Sequence, residues 1–284
     1  MLRAEGIEKR YSGIAALAGV DFDLEPEEIV GLVGPNGSGK STLLGVLSGF
    51  IRPDRGTVSF EGKRINRLRP WNVARLGVRR TFQLPSQPER MTVLETMLVG
   101  AELPAGSTFL GVLVRRGKVA AEQREALERA RELLDELTLL ELEHEAAGSL
   151  SGGQQKLLSL GAALMSRPRA LLLDEPTAGI HPRLRRTLVE RLRSVNAAGT
   201  ALVIVEHDMR FVAELCGRVY VLDNGEVVTS CAPSELASNR RVVEAYLGRR
   251  RRPAAVRDKV AAAAPAQSAT PNGADPAAAK RAGS

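Results

Sequence analysis

Long apolar runs are missing from this chain. In 284 residues no stretch approaches the ~20 consecutive apolar positions that a bilayer-crossing helix needs. The richest segments, Ala170 to Leu173 and Ala201 to Val205, have the length of buried strands. The first residues, Met1-Leu2-Arg3-Ala4-Glu5, run straight into folded pattern without the apolar centre of a signal peptide. Aromatics are scarce, at 4% against 44% hydrophobic residues in all, so the core must be built from aliphatic strands and helices. Cysteine is scarce too. Cys216 and Cys231 have neither metal-site nor redox spacing, which excludes a disulfide framework and predicts two reduced thiols. Together these absences predict a cytoplasmic chain whose association with a membrane runs through a partner.

Positive charge is in surplus, but not where a nucleic-acid-binding face would need it. Of the net charge of +7, residues 249–284 carry +6, from eight basic and two acidic side chains. Residues 1–248 are nearly neutral, and no nucleic-acid partner is expected. From Pro253 onward the chain is Ala, Pro, Gly and small polar residues, which cannot offset their ordering entropy; a disordered tail is expected. The Arg249–Arg252 run reads as a solvated end, with contact to anionic lipid or nucleic acid as the alternative.

Strand periodicity opens the body. Val20, Phe22 and Leu24 alternate with Asp21 and Asp23, Val58 and Phe60 repeat the pattern, and Ile29 to Val33 is continuously apolar. From about Glu122 to Leu142 the period changes. Leu127, Leu133, Leu134, Leu137 and Leu140 are spaced for one face of a helix among Glu and Arg. Strands return at Ala170 to Leu173, Ala201 to Val205 and Val219 to Leu222. That order predicts a parallel-strand core interrupted by a helical insertion at roughly residues 84–165. No internal repeat is present.

Gly34-Pro35-Asn36-Gly37-Ser38-Gly39-Lys40-Ser41, with Thr42 after it, matches the phosphate-loop pattern in full, between an apolar strand and a helix expected at Ser41 to Leu47. Glycines let the backbone wrap closely, so that successive N–H groups and the helix N-terminus point at phosphate. Lys40 would serve the β- and γ-phosphates and Ser41 would offer its hydroxyl to Mg²⁺. The alternative, a ligand-free glycine turn, leaves the Lys-Ser ending unexplained.

Such a loop needs an acid at the end of a buried strand, and Asp174-Glu175 follows Ala170 to Leu173. Asp174 is placed to hold Mg²⁺ and Glu175 to polarise the attacking water. Alone, an apolar run ending in acids is a weak signal; beside the phosphate loop it is a strong one. Leu150-Ser151-Gly152-Gly153-Gln154 is a second Gly-rich anion-binding start to a helix, with Ser151 able to cap it. One nucleotide does not need two such loops in one chain. Two chains facing head to tail would let each loop close over the other's ATP.

With these motifs residues 1–248 resemble the ATPases of ABC (ATP-binding cassette) transporters. The resemblance implies an α/β fold: a P-loop NTPase core with a small antiparallel β subdomain and an inserted helical subdomain. It also implies that Ser151 to Gln154 completes the γ-phosphate site across a dimer. Tyr11 matches the aromatic that stacks on adenine, Gln83 in Arg80-Thr81-Phe82-Gln83 the glutamine that touches Mg²⁺ and water, and His207 the histidine that contacts γ-phosphate. Within the family the chain is similar to branched-chain amino-acid importers, through Leu76 to Gln83, Met91 to Glu95, Val205 to Met209 and Glu244 to Gly248. Leu76 to Gln83 looks like one of the two ATPase subunits such importers carry, while Ala163 to Pro168 looks like the other.

Three positions depart from the family pattern. His181 stands where Asp or Asn is usual, Glu27 where a turn usually has Gly, and Gly217 where Asp is expected. None removes a catalytic group. The resemblance implies ATP and Mg²⁺ as cofactors, and integral-membrane permeases and a second ABC ATPase subunit as partners. A substrate-binding protein would join indirectly, and the chain would lie at the cytoplasmic face of the membrane. Urea, amide or lipid transport, and a non-transport ATP-gated switch, are the alternatives. A phosphate-loop kinase would leave Ser151 to Gln154 without a purpose.

Overall fold

The computed structural model describes residues 1–81, 90–101, 116–236, 239, 241 and 242. Strand β1 (Leu2–Tyr11) pairs antiparallel with β2 (Ile14–Leu24) on one side. On its other side it pairs with β4 (Arg55–Phe60), which is followed by the short β5 (Lys63–Arg64). The order β2-β1-β4-β5 makes one twisted antiparallel sheet. The residues of its alternating pattern behave as expected: Val20, Phe22, Leu24, Val58 and Phe60 are all buried.

The second sheet runs β10-β9-β3-β8-β7-β6. Its centre is β3 (Ile29–Val33), β7 (Ala170–Asp174) and β8 (Ala201–Val205), each buried at every position. Neighbours β3–β8, β3–β9, β7–β8 and β6–β7 are parallel, with β6 at Val78–Arg80 and β9 at Arg218–Asp223. Continuous apolar runs are what a parallel sheet covered on both faces requires. The alternation splits cleanly between two cores. Leu171, Leu173, Leu202 and Ile204 face the side carrying the helical segment. Leu172, Val203, Val205, Val30 and Leu32 face the antiparallel sheet and the helix α1 (Lys40–Leu47).

The edge strand β10 (Glu226–Cys231) folds back on β9 through Asn224-Gly225, both at positive φ, the turn that matches strand twist. The tip of that hairpin docks on the phosphate loop. Gly225 donates its N–H to the Ser38 carbonyl at 3.0 Å and accepts from the Ala18 N–H at 2.9 Å.

After α1 come α2 (Pro70–Arg75), α3 (Val93–Val99), α4 (Arg116–Glu136) and α5 (Gly152–Leu164). Helix α3 starts with a reciprocal cap, in which Thr92 Oγ1 accepts from the Glu95 N–H and Glu95 Oε2 from the Thr92 N–H. Helix α4 ends earlier than leucine spacing predicts. Thr138 takes a left-handed φ of 59°, and the Leu139 N–H reaches back to the Leu134 carbonyl at 2.8 Å. Leu137 and Leu139 are both fully buried. In a continued helix they would stand about 200° apart and could not face one core, so the chain reverses instead. His144 lies in the turn beyond, with its side chain 81% exposed.

Helix α6 (Pro182–Ala197) follows β7, and α7 (Met209–Leu215) follows β8. Asp208 caps α7, accepting from the Arg210 and Phe211 N–H groups. Glu27 has a φ of 58°, the left-handed geometry that favours the glycine expected there. Gly217 donates its N–H to the Ile29 carbonyl at 3.0 Å. Arg218 joins the two sheets, bonding Asp23 Oδ2 at 2.8 Å and Glu28 Oε1 at 2.8 Å. The tail at 249–284, the segment Glu244 to Gly248 and residues 84–89 and 102–115 of the expected insertion lie outside the described residues.

Candidate functional site

The phosphate loop is a backbone structure before it is a binding site. Gly34 has φ 147° and Gly39 φ 108°. A Cβ on Gly34 would collide with the Leu222 carbonyl, and one on Gly39 would stand 2.5 Å from the Ala16 carbonyl. Neither position can take a side chain, because β9 and β2 press the loop from outside. Ser38 is buried, and its Oγ has no hydrogen-bond partner. Lys40, the first residue of α1, is only 6% exposed, and its Nζ donates to the carbonyls of Gly34 at 2.8 Å and Pro35 at 2.9 Å. The ammonium therefore sits inside the loop it belongs to. Ser41 is exposed and Thr42 half-buried, in the same first turn of α1.

Two loops leave the C-terminal edge of the parallel sheet beside it. Asp174 is the last residue of β7 rather than the first beyond it. It is 4% exposed, and its Oδ2 accepts from Arg80 Nη2 at 2.9 Å. Its Oδ1 is buried and has no hydrogen-bond partner. Glu175 follows with a left-handed φ of 47°. Its N–H donates to the Val205 carbonyl at 2.9 Å, and its own carbonyl accepts from Lys156 Nζ at 2.8 Å. Its Oε1 lies 3.1 Å from His207 Nε2. Sequence reasoning placed Asp174, Glu175 and His207 at strand ends, and the sheet brings the last two into contact.

Between these loops lies Glu206, 3% exposed. Its Oε1 accepts from the Thr177 N–H at 2.8 Å and Thr177 Oγ1 at 2.6 Å. Its Oε2 accepts from the His207 N–H at 2.9 Å and the Asp208 N–H at 3.4 Å. Lys156 rises from α5 to the same spot. Burial holds its ammonium below the usual lysine range, opposed by the charges of Glu206, Glu175 and Asp174. Sequence reading passed over Arg80, Lys156 and Glu206. The available signal was Glu206 itself, a charge directly after the apolar strand Ala201–Val205.

The remaining predicted residues divide. Tyr11 ends β1 with 46% of its surface exposed and Lys9 Nζ over its ring, 5.6 Å from the centre. Ser151 caps α5 as its residue type suggests, exchanging hydrogen bonds with Gln154 in a reciprocal cap. Gly152 is exposed, while Gly153 is buried against Ile180 and Leu184 rather than solvent. His181 caps α6, its Nδ1 accepting from the Arg183 N–H at 3.3 Å. Gln83 lies outside the described residues. Among the described residues no group of three or more His, Cys, Asp or Glu side chains could hold a metal. What the site offers a cation is hard oxygen: the Ser41 hydroxyl and the orphaned Asp174 Oδ1, a donor set that suits Mg²⁺.

A phosphate loop at the C-terminal edge of a parallel sheet, flanked by Asp174, Glu175 and His207, defines a nucleotide-binding phosphate-loop ATPase. The family model for the ABC transporter matches residues 17–178, and the chain belongs to that family.

Its relatives match along most of the chain. It is 38% identical over 248 residues to a probable branched-chain amino acid transport ATP-binding protein LivG of Archaeoglobus fulgidus, covering 87% of this chain and 95% of that one. It is 34% identical over 251 residues to the high-affinity branched-chain amino acid transport ATP-binding protein BraF of Pseudomonas aeruginosa, covering 87% and 98%. Among solved structures, it is similar to the ADP conformation of an ATP-binding cassette of an ABC transporter, at 36% identity and TM-score 0.75, with 87% and 98% covered. A dimeric bacterial ABC transporter cassette matches at 25% identity and TM-score 0.70, covering 82% and 99%. Among the described residues no helix is long and apolar enough to cross a membrane.

Proposed function

We propose that this chain is the ATP-hydrolysing subunit of a membrane importer for branched-chain amino acids. The observation that carries the hydrolytic part is the Glu175–His207 contact beside the phosphate loop, at 3.1 Å. The cargo is supported by the names of the relatives that match across 87% of the chain.

In this reading Tyr11 stacks on adenine, and the Gly34–Thr42 loop wraps the phosphates with backbone N–H groups. Lys40 turns from its own loop carbonyls to the β- and γ-phosphates, where it stabilises the charge that builds on the bridging oxygen. Ser41, Asp174 and Gln83 would hold Mg²⁺, which supplies further neutralisation of phosphate charge when bound. Glu175 takes a proton from water as the water oxygen bonds to the γ-phosphorus. The bond from that phosphorus to the β–γ bridging oxygen breaks, and ADP leaves with the electron pair. His207 contacts the γ-phosphate.

Ser151, Gly152, Gly153 and Gln154 close over the ATP of a second ATPase subunit, identical or a sister. Gly153 is packed closely against Ile180 and Leu184, beside His181. Closure pulls on integral-membrane permease subunits through the Gln83 segment and the helices that follow it. A substrate-binding protein delivers cargo to those permeases, and the chain sits at the cytoplasmic face of the membrane.

The test is to trap tagged Glu175→Gln with Mg-ATP in native membranes and identify what co-purifies. Two amino-acid-type permeases and a sister ATPase are expected. Ribosomal or DNA-associated proteins in their place would overturn the transport assignment.

A further inference from the structure

Glu206 is a buried carboxylate with donors at both ends. Thr177 supplies two to Oε1, at 2.8 and 2.6 Å, and the N–H groups of His207 and Asp208 supply two to Oε2, at 2.9 and 3.4 Å. The first pair belongs to the loop that Glu175 opens, the second to the loop that carries His207. One side chain thus ties together two segments 29 residues apart.

The Glu175 loop needs such a tie. A non-glycine residue at φ 47° is strained by about 1–3 kcal/mol and persists only where its surroundings over-determine it. Here the Glu175 N–H is fixed by Val205, its carbonyl by Lys156, and the chain two residues on by Glu206. On the other side the Glu206 carboxylate holds the peptide N–H of His207, whose ring meets Glu175.

The chemistry of the residue matters as much as its place. An ionised carboxylate accepts at both oxygens and donates at neither. Glutamine has the same length but carries one acceptor and one donor end, so it can satisfy one loop only by facing an NH₂ against the other's N–H groups. Aspartate is a methylene too short to span both.

From this we propose that Glu206 is a positioning residue for ATP hydrolysis, its carboxylate locking the Glu175 loop to the His207 loop so that base and histidine meet in one geometry. The proposal rests on the reading of Glu175 as the base. Glu206 is buried and both its oxygens are taken up by donors of the two loops, so its loss should act on turnover and spare binding. A misplacement of about 1 Å at a reacting group lowers rate by about a hundredfold.

The experiment compares full-length wild type, Glu206→Gln, Thr177→Val and Glu175→Gln in Mg-ATP turnover, in binding of a fluorescent ATP analogue, and in thermal melting. Glu206→Gln should lose about tenfold or more in kcat, with KM and analogue affinity within about twofold. Thr177→Val, which removes only the hydroxyl contact, should fold normally and lose about two- to fivefold in kcat at unchanged KM. Wild-type kcat in a folded Glu206→Gln overturns the proposal, as does a parallel collapse of kcat, KM and melting temperature. Should Glu206→Gln fail to fold, Thr177→Val decides, and wild-type kcat there overturns it equally. Wild-type turnover in Glu175→Gln would instead overturn the assignment of the base on which the proposal stands.

Discussion

His207 Nε2 and Glu175 Oε1 stand 3.1 Å apart, each on the first turn beyond a different buried strand. The contact exists because β7 and β8 are parallel neighbours in register, with Asp174 opposite Val205. That register carries Glu175, one residue past β7, and His207, two residues past β8, to the same edge. The carboxylate is half-buried and the imidazole exposed.

Replacing Glu175 by Gln keeps the shape and removes the carboxylate proposed as the base. ATP affinity should stay near wild type while hydrolysis slows by about a hundredfold or more, and dimers should accumulate in Mg-ATP on a sizing column. Lys40→Ala should lose turnover by about 10² to 10³ together with phosphate binding. A Glu175→Gln chain that elutes only as monomer in Mg-ATP would count against the shared site.

Asp23 should set part of the acid sensitivity. The Arg218 hydrogen bonds hold its carboxyl below the usual aspartate range, against an opposing push from burial. A depressed folded value means stability that is present above the ordinary range near pH 4 and is lost as pH falls through the folded value. The side chain is 40% exposed, so solvent screening limits the effect to about 1 kcal/mol or less. Urea titrations of Asp23→Asn and wild type should differ at neutral pH, and the gap should shrink as pH falls below about 4. A gap that does not change with pH would show that the pairing is not the cause.

Cys216 should be inert to thiol reagents in the folded chain. Burial pushes its thiol up to about 12. At about pH 8 the thiolate fraction is then about 10⁻⁴, and the sulfur is also out of reach. Cys231, half-buried and raised less far, should react first. Labelling of native Cys231→Ser should proceed only on denaturation. Prompt reaction of that variant would contradict the packing of α7 on the sheet.

Much of this was legible before any fold was known. The phosphate loop announces itself because its chemistry lies in eight consecutive residues, Gly34 to Ser41, with a strand and a helix at either end. The buried strands Ile29–Val33 and Ala201–Val205 are marked by unbroken apolar runs. The Ser151 cap is a local hydrogen-bond exchange that spans three residues. Capping, turns and periodicity act over a few positions, so a linear reading captures them. The same locality explains the misjudged end of α4. Leucine spacing continues past Glu136, but burial of both Leu137 and Leu139 is decided by the core they meet.

Only the tertiary structure decided which distant residues share the site. No spacing rule says that β3 lies between β8 and β9, yet that order brings the Gly34 loop, Asp174 and His207 to one edge. Nothing local points Gly225 at Ser38, Arg218 at Asp23 across 195 positions, or Glu206 at Thr177. The physical reason is range. Helix and turn preferences are settled by the chain's own neighbours, while a buried carboxylate takes whatever donors packing sets before it, and those are fixed only when the strands have found their order.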